Sequence, residues 1–121
     1  VAKQTANFDR SKALDVTTNL VQAHPKVTGI FAENDEMAIG AISALGSKAG
    51  KSVKVVGFDG TADGIKAVKA GTLGATIAQQ PGLLGKTAVD QAAEILDGKE
   101  VSKTTPIKVL LVTKDNAKDY E

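Results

Sequence analysis

Cysteine and tryptophan are absent from this 121-residue chain, and it carries a single methionine, a single tyrosine, a single histidine and three phenylalanines. Without cysteine there are neither disulfides nor thiolate metal sites, and a domain of this length needs no such staples. Aromatics at 3% offer no stacking platform for bases, and 15 basic against 14 acidic residues leave a net charge of +1 without a basic block. Nucleic acid therefore finds no footprint. No apolar run is long enough to cross a bilayer. The chain opens on Val1 with no secretory signal in view, and the expectation is that a natural amino terminus has been removed. What remains, 42% hydrophobic and 24% charged residues, is the composition of one globular domain with one core.

Short apolar runs alternate with longer stretches of helical period, the pattern of an α/β fold. The reading is a three-layer Rossmann-like, flavodoxin-like domain with a mainly parallel sheet. Strands are expected over 1–6, 27–32, 53–58, 73–78 and 107–112. Helices are expected over 9–23, 35–45, 61–70 and 81–96, punctuated by His24-Pro25, Gly46, Gly71 and Asp97-Gly98. The charged tail from Lys114 to Glu121 is expected to be loosely held.

In an open parallel sheet a ligand binds beyond the carboxyl ends of the strands, where helix amino termini and loop amides gather. Those ends carry Asn7-Phe8-Asp9-Arg10, Asn34-Asp35, Phe58-Asp59 and Gln79-Gln80. Amides and carboxylates supply the donors and acceptors that a polyhydroxylated molecule needs, and flat rings pack against its C–H faces. Each residue also has a plainer role. Asn34, Asp35 and Asp59 are good caps or turn formers, Phe8 and Phe58 could be core, Gln79 a satisfied strand-end amide, Arg10 a solvated charge, and His24 a helix-end residue. Coincidence along one sheet edge favours a binding role.

Catalysis finds no comparable constellation. No serine sits in a G-x-S-x-G elbow, Gly57, Gly60 and Gly64 fit neither the dinucleotide nor the phosphate-loop pattern, and metal-ligand spacings are missing. Neither an enzyme, a cofactor nor a metal is implied.

The segments TANFDRSKAL, FAENDEMAIGAISAL, VKVVGFDGT and GATIAQQP resemble, in order and spacing, the carboxy-terminal part of the ribose-binding members of the type I periplasmic binding proteins. That resemblance covers essentially the whole chain. It implies one lobe of a two-lobed sugar receptor that closes on a pentose and delivers it to an ABC-type importer, a hinge closure known for this class. Carried across by motif, Phe8, Asn34, Phe58, Asp59 and Gln79 would line the pocket, with Asp35 a neighbour and no primary contact. It also implies that the amino-terminal lobe and the first strand and helix of this lobe lie outside the chain, and that 81–108 would pack on that other lobe. Partners would be a ribose-like sugar, the missing lobe and a membrane permease, with a strand-exchanged homodimer as a further possibility because unpaired sheet edges recruit strands. The setting would be periplasmic, or extracellular with a lipid anchor in a Gram-positive organism. The alternative is the effector core of a lac-repressor-type regulator, which shares the fold and similar ND-x-MA-x-G and GFD patterns. Against it stand Gly60 after GFD and the Ala78-Gln79-Gln80-Pro81 run.

Overall fold

A computed structural model describes residues 2–120. Helices and strands alternate as α1 (Arg10–Ala23), β1 (Gly29–Phe31), α2 (Asp35–Leu45), β2 (Lys54–Asp59), α3 (Ala62–Ala70), β3 (Ala75–Ala78), α4 (Pro81–Leu96) and β4 (Leu110–Val112). The strands form one sheet in the order β1-β2-β3-β4. Both β1–β2 and β2–β3 pair parallel, with Phe31 opposite Val56 and Asp59 opposite Ala78. The α/β reading with a mainly parallel sheet is thus the observed one.

Local chemistry sets the helix starts. Asp9 caps α1 by accepting from Lys12 N at 2.7 Å, Asn34 caps α2 by accepting from Met37 N at 2.9 Å, and Thr61 caps α3 by accepting from Gly64 N at 3.1 Å. Pro81 opens α4, where its missing N–H costs nothing. Gly71, at φ 77°, ends α3 in the left-handed conformation that a side chain disfavours.

By its internal packing the chain divides in two: one unit runs to Ala78 and resumes at Leu111, and the other is Gln79–Leu110. In the first, Val55, Val68, Leu73 and Val112 are buried within the sheet and its covering helices, and Ala38 and Ala41 form the inner face of α2. The α1–α2 contact is unusually close. A Cβ built on Gly40 would stand 2.2 Å from the Arg10 carbonyl oxygen, so only glycine fits. In the second unit α4 buries none of its side chains and leaves Leu83, Leu84, Val89, Ile95 and Leu96 exposed. Side-chain bonds from α4 and its start to the segment after it include Gln80 Nε2 to the Lys108 carbonyl at 2.6 Å and Gln91 Nε2 to Thr105 Oγ1 at 2.7 Å.

Two expectations fail. Residues 2–6 run without strand pairing, although Ala6 is buried, because no neighbouring strand lies alongside them; Val1 falls outside the described residues. The tail is held more firmly than its charge predicted. Thr113 N donates to Asn116 Oδ1 at 2.8 Å, Asn116 Nδ2 donates to the Leu111 carbonyl at 2.9 Å, and the short 3-10 turn Ala117–Tyr120 buries Ala117 completely. Glu121 lies outside the described residues. Among the described residues no helix is long and apolar enough to cross a membrane.

Candidate functional site

Parallel pairing aligns the carboxyl ends of β1, β2 and β3, and the first unit places Asn34, Phe58 and Asp59 where β1 and β2 give way to helices, whereas Phe8, expected at the end of a first strand, lies in a turn with no strand before it. Phe8 precedes α1, Asn34 is the cap of α2, and Phe58 and Asp59 end β2. Gln79 follows β3 directly and is the first residue of the second unit. Phe8 is 63% exposed, so the core reading of that ring fails; Phe58 and Asp59 are half-buried. Asn34 spends its carbonyl oxygen on the cap, which leaves the two Nδ2 hydrogens as donors.

Backbone conformation marks the same places. Among the described residues the non-glycine positions with positive φ are Asn7 (53°), Phe8 (57°) and Asp59 (111°). Such conformations are disfavoured for L-residues and persist only where the surroundings enforce them, commonly at functional sites. Two of the three are candidate ligand contacts.

Sequence reasoning missed the bolts that hold this edge. Arg10 donates from Nε and Nη2 to the two oxygens of Glu36, each at 2.9 Å, and from Nη2 to Asp63 Oδ2 at 3.0 Å. Although its side chain at the start of α1 remains 42% exposed, it ties together the first turns of α1, α2 and α3. Hydrogen bonds to Glu36, then to Asp63, hold the guanidinium's pKa above its ordinary value. Phe8, Asn34 and Asp59 each stand a few residues before one of these bolted ends. Asp35 is fully buried and accepts from Thr61 N at 2.8 Å and Thr61 Oγ1 at 3.0 Å, joining the Asn34 turn to the Asp59 turn. A strand-to-helix polar residue followed by another acidic residue was the signal; the long-range partners were not visible.

A cavity of about 1610 Å³ lies elsewhere in this unit, between residues 2–6, the apolar side of α1 (Val16, Leu20 and Val21) and the outer edge of β1. It touches Phe8 and Phe31 but neither Asn34, Phe58 nor Asp59. It is a groove beside β1 and not the polar rim. Among the described residues no group of three or more His, Cys, Asp and Glu is placed to hold a metal.

A sequence profile for the periplasmic binding protein domain matches residues 1–100. The chain belongs to the periplasmic binding protein family. It is 50% identical over 111 residues to the ribose import binding protein of Bacillus subtilis, covering 90% of this chain and 36% of that one. It is 51% identical over 114 residues to the ribose import binding protein of Salmonella typhimurium, covering 94% and 38%. Among solved structures, an ABC transporter periplasmic solute binding protein from Actinobacillus succinogenes with bound D-allose superposes with a TM-score of 0.93 at 38% identity, over 99% of this chain and 43% of that one. The periplasmic binding protein of an arabinose ABC transporter from Shewanella sp. ANA-3, bound to L-arabinofuranose, gives a TM-score of 0.91 at 32% identity, over 99% and 42%. The chain thus spans 36–38% of the length of these curated relatives. The first two are import binding proteins and the other two are binding proteins of ABC transporters, and the regulator alternative gains no support from them.

Proposed function

We propose that this periplasmic binding protein chain supplies one wall of a sugar cleft in the substrate-binding component of an ABC-type importer, taking ribose or a similar monosaccharide. The observation that carries this reading is the coincidence of strained backbone at Phe8 and Asp59 with hydrogen-bonding groups at the strand ends. Asn34 donates to sugar hydroxyls, Asp59 accepts from them, Gln79 does both, and the rings of Phe8 and Phe58 flank the sugar's apolar faces. Binding is the whole of its task; no reaction is assigned.

The other wall is an amino-terminal lobe, against which the segment 81–108 packs. The exposed Leu83, Leu84, Val89, Ile95 and Leu96 of α4 supply the apolar surface for that contact. Sugar release is to a membrane permease, and the working compartment is the periplasm, or the outer cell surface with a lipid anchor where an outer membrane is lacking. In the isolated chain, a strand of a second copy fills the groove beside β1, giving a strand-exchanged dimer.

Saturation-transfer NMR with D-ribose tests the sugar reading. Transfer to the ring protons is expected for the unmodified chain and its loss for the Phe8→Ala/Phe58→Ala variant. Equal transfer in both, or none in either, would refute it.

A further inference from the structure

Asp35 is the first residue of α2, a position where a carboxylate ordinarily lies at the surface and answers the helix dipole. In this chain it is fully buried, and its hydrogen-bond partners belong to other elements. Oδ2 accepts from the Thr61 amide at 2.8 Å and the Thr61 hydroxyl at 3.0 Å; Oδ1 accepts from the hydroxyl of Thr76, in β3, at 2.7 Å. Thr76 is itself fully buried, and its oxygen accepts from the Gly60 amide at 3.2 Å. Two successive amides, Gly60 through Thr76 and Thr61 directly, are therefore committed to one carboxylate.

Those two amides immediately follow Asp59. On its amino side Asp59 is fixed by the parallel register of β2 with β3, Phe58 opposite Ile77 and Asp59 opposite Ala78. On its carboxyl side the peptide plane is set by Gly60 N–H pointing at Thr76. Between these constraints Asp59 is held at φ 111°, which a free aspartate would leave. Room for the carboxylate comes from missing side chains: a Cβ on Gly57 would stand 2.3 Å from Oδ1, and one on Gly64 2.1 Å from Oδ2. A cap for α2 needs none of this.

We infer that Asp35, acting through Thr76 and Thr61, is a positioning residue for the sugar site: it holds the Asp59 turn in the strained conformation that aims the Asp59 carboxylate. This rests on the sugar reading above. Asp35 touches no ligand, being sealed from solvent. Its effect is preorganisation, since a turn that reaches the competent shape only part of the time raises the apparent dissociation constant in proportion.

Three variants test it: Asp35→Asn, Thr76→Val, which keeps shape and removes the bridging hydroxyl, and Thr76→Ser, which restores that hydroxyl. Two readouts apply, the three-bond amide-to-α-proton coupling of Asp59 without sugar, and the ribose dependence of amide shifts. Thr76→Val is expected to fold, to change the Asp59 coupling and to weaken ribose binding about tenfold, as for a turn competent roughly a tenth of the time. Thr76→Ser should return both to within about twofold of the parent. Asp35→Asn should match Thr76→Val if it folds, and Thr76→Val decides the matter if it does not. An unchanged Asp59 coupling in folded Thr76→Val, or a changed coupling with unchanged ribose affinity, would overturn the inference. Absence of any ribose response in the unmodified chain would instead overturn the sugar reading and the positioning role with it, while the coupling still reports whether the turn is held.

Discussion

Asn34 has an observed role and a proposed one, which a single substitution can separate. Its carbonyl oxygen caps α2 through Met37 N, and its Nδ2 group is the proposed donor to the sugar. Asn34→Ala should remove both, costing about 1 kcal/mol of stability, whereas Asn34→Ser restores a cap and lacks the two amide donors. Urea unfolding should therefore place the serine variant near the parent and the alanine variant below it, while both lose ribose response. A serine variant that binds as the parent does would leave Asn34 as a cap alone. At this scale the sequence was informative where the chemistry is local, naming Asn34 as a cap and placing the starts of α1 and α3 within one residue of the caps Asp9 and Thr61. Asp9, Asn34 and Thr61 all cap the helices that follow them within three residues. Asp35 and Arg10 were opaque for the opposite reason. Asp35 finds Thr61 and Thr76 26 and 41 residues away, and Arg10 finds Glu36 and Asp63 26 and 53 away. No periodicity or cap rule encodes such distances.

Among the elements, α1 and α2 meet across Gly40, where a Cβ would stand 2.2 Å from the Arg10 carbonyl oxygen and 2.9 Å from the Ala13 Cβ. Neither the backbone oxygen nor the Ala13 methyl can rotate away. Gly40→Ala should therefore cost roughly 1–3 kcal/mol despite alanine's better helix propensity. A lower urea midpoint at unchanged slope is the expected measurement; an unchanged midpoint would mean that the helices part easily. That contact also carries Arg10 to Glu36, so loosening it should soften the Phe8 turn. Helix positions were readable because apolar period, caps and Pro or Gly stops agree. The ends failed where tertiary partners decide. Residues 2–6 have a strand's composition without a strand beside them, and the charged tail is fixed by Asn116 and the burial of Ala117.

For the whole molecule, the groove of about 1610 Å³ beside β1 and the polar rim at the strand ends make different demands. The groove presents an unpaired sheet edge with Phe31 63% exposed, a template for another strand. Light scattering should find a dimer whose population falls in Phe31→Lys, because a charge on that edge opposes strand addition; a parent chain that is monomeric at all concentrations would reject the exchange. As one wall of the proposed cleft, the rim should desolvate a sugar only in part and bind it weakly, with a dissociation constant of ~1 mM or above. The direct test of the account is an amide-resolved titration of the isotope-labelled chain with D-ribose. Saturable shifts confined to Phe8, Asn34, Phe58, Asp59, Gln79 and their neighbours are predicted. Tight binding, or shifts gathered in the groove beside β1 while the strand ends stay silent, would contradict it.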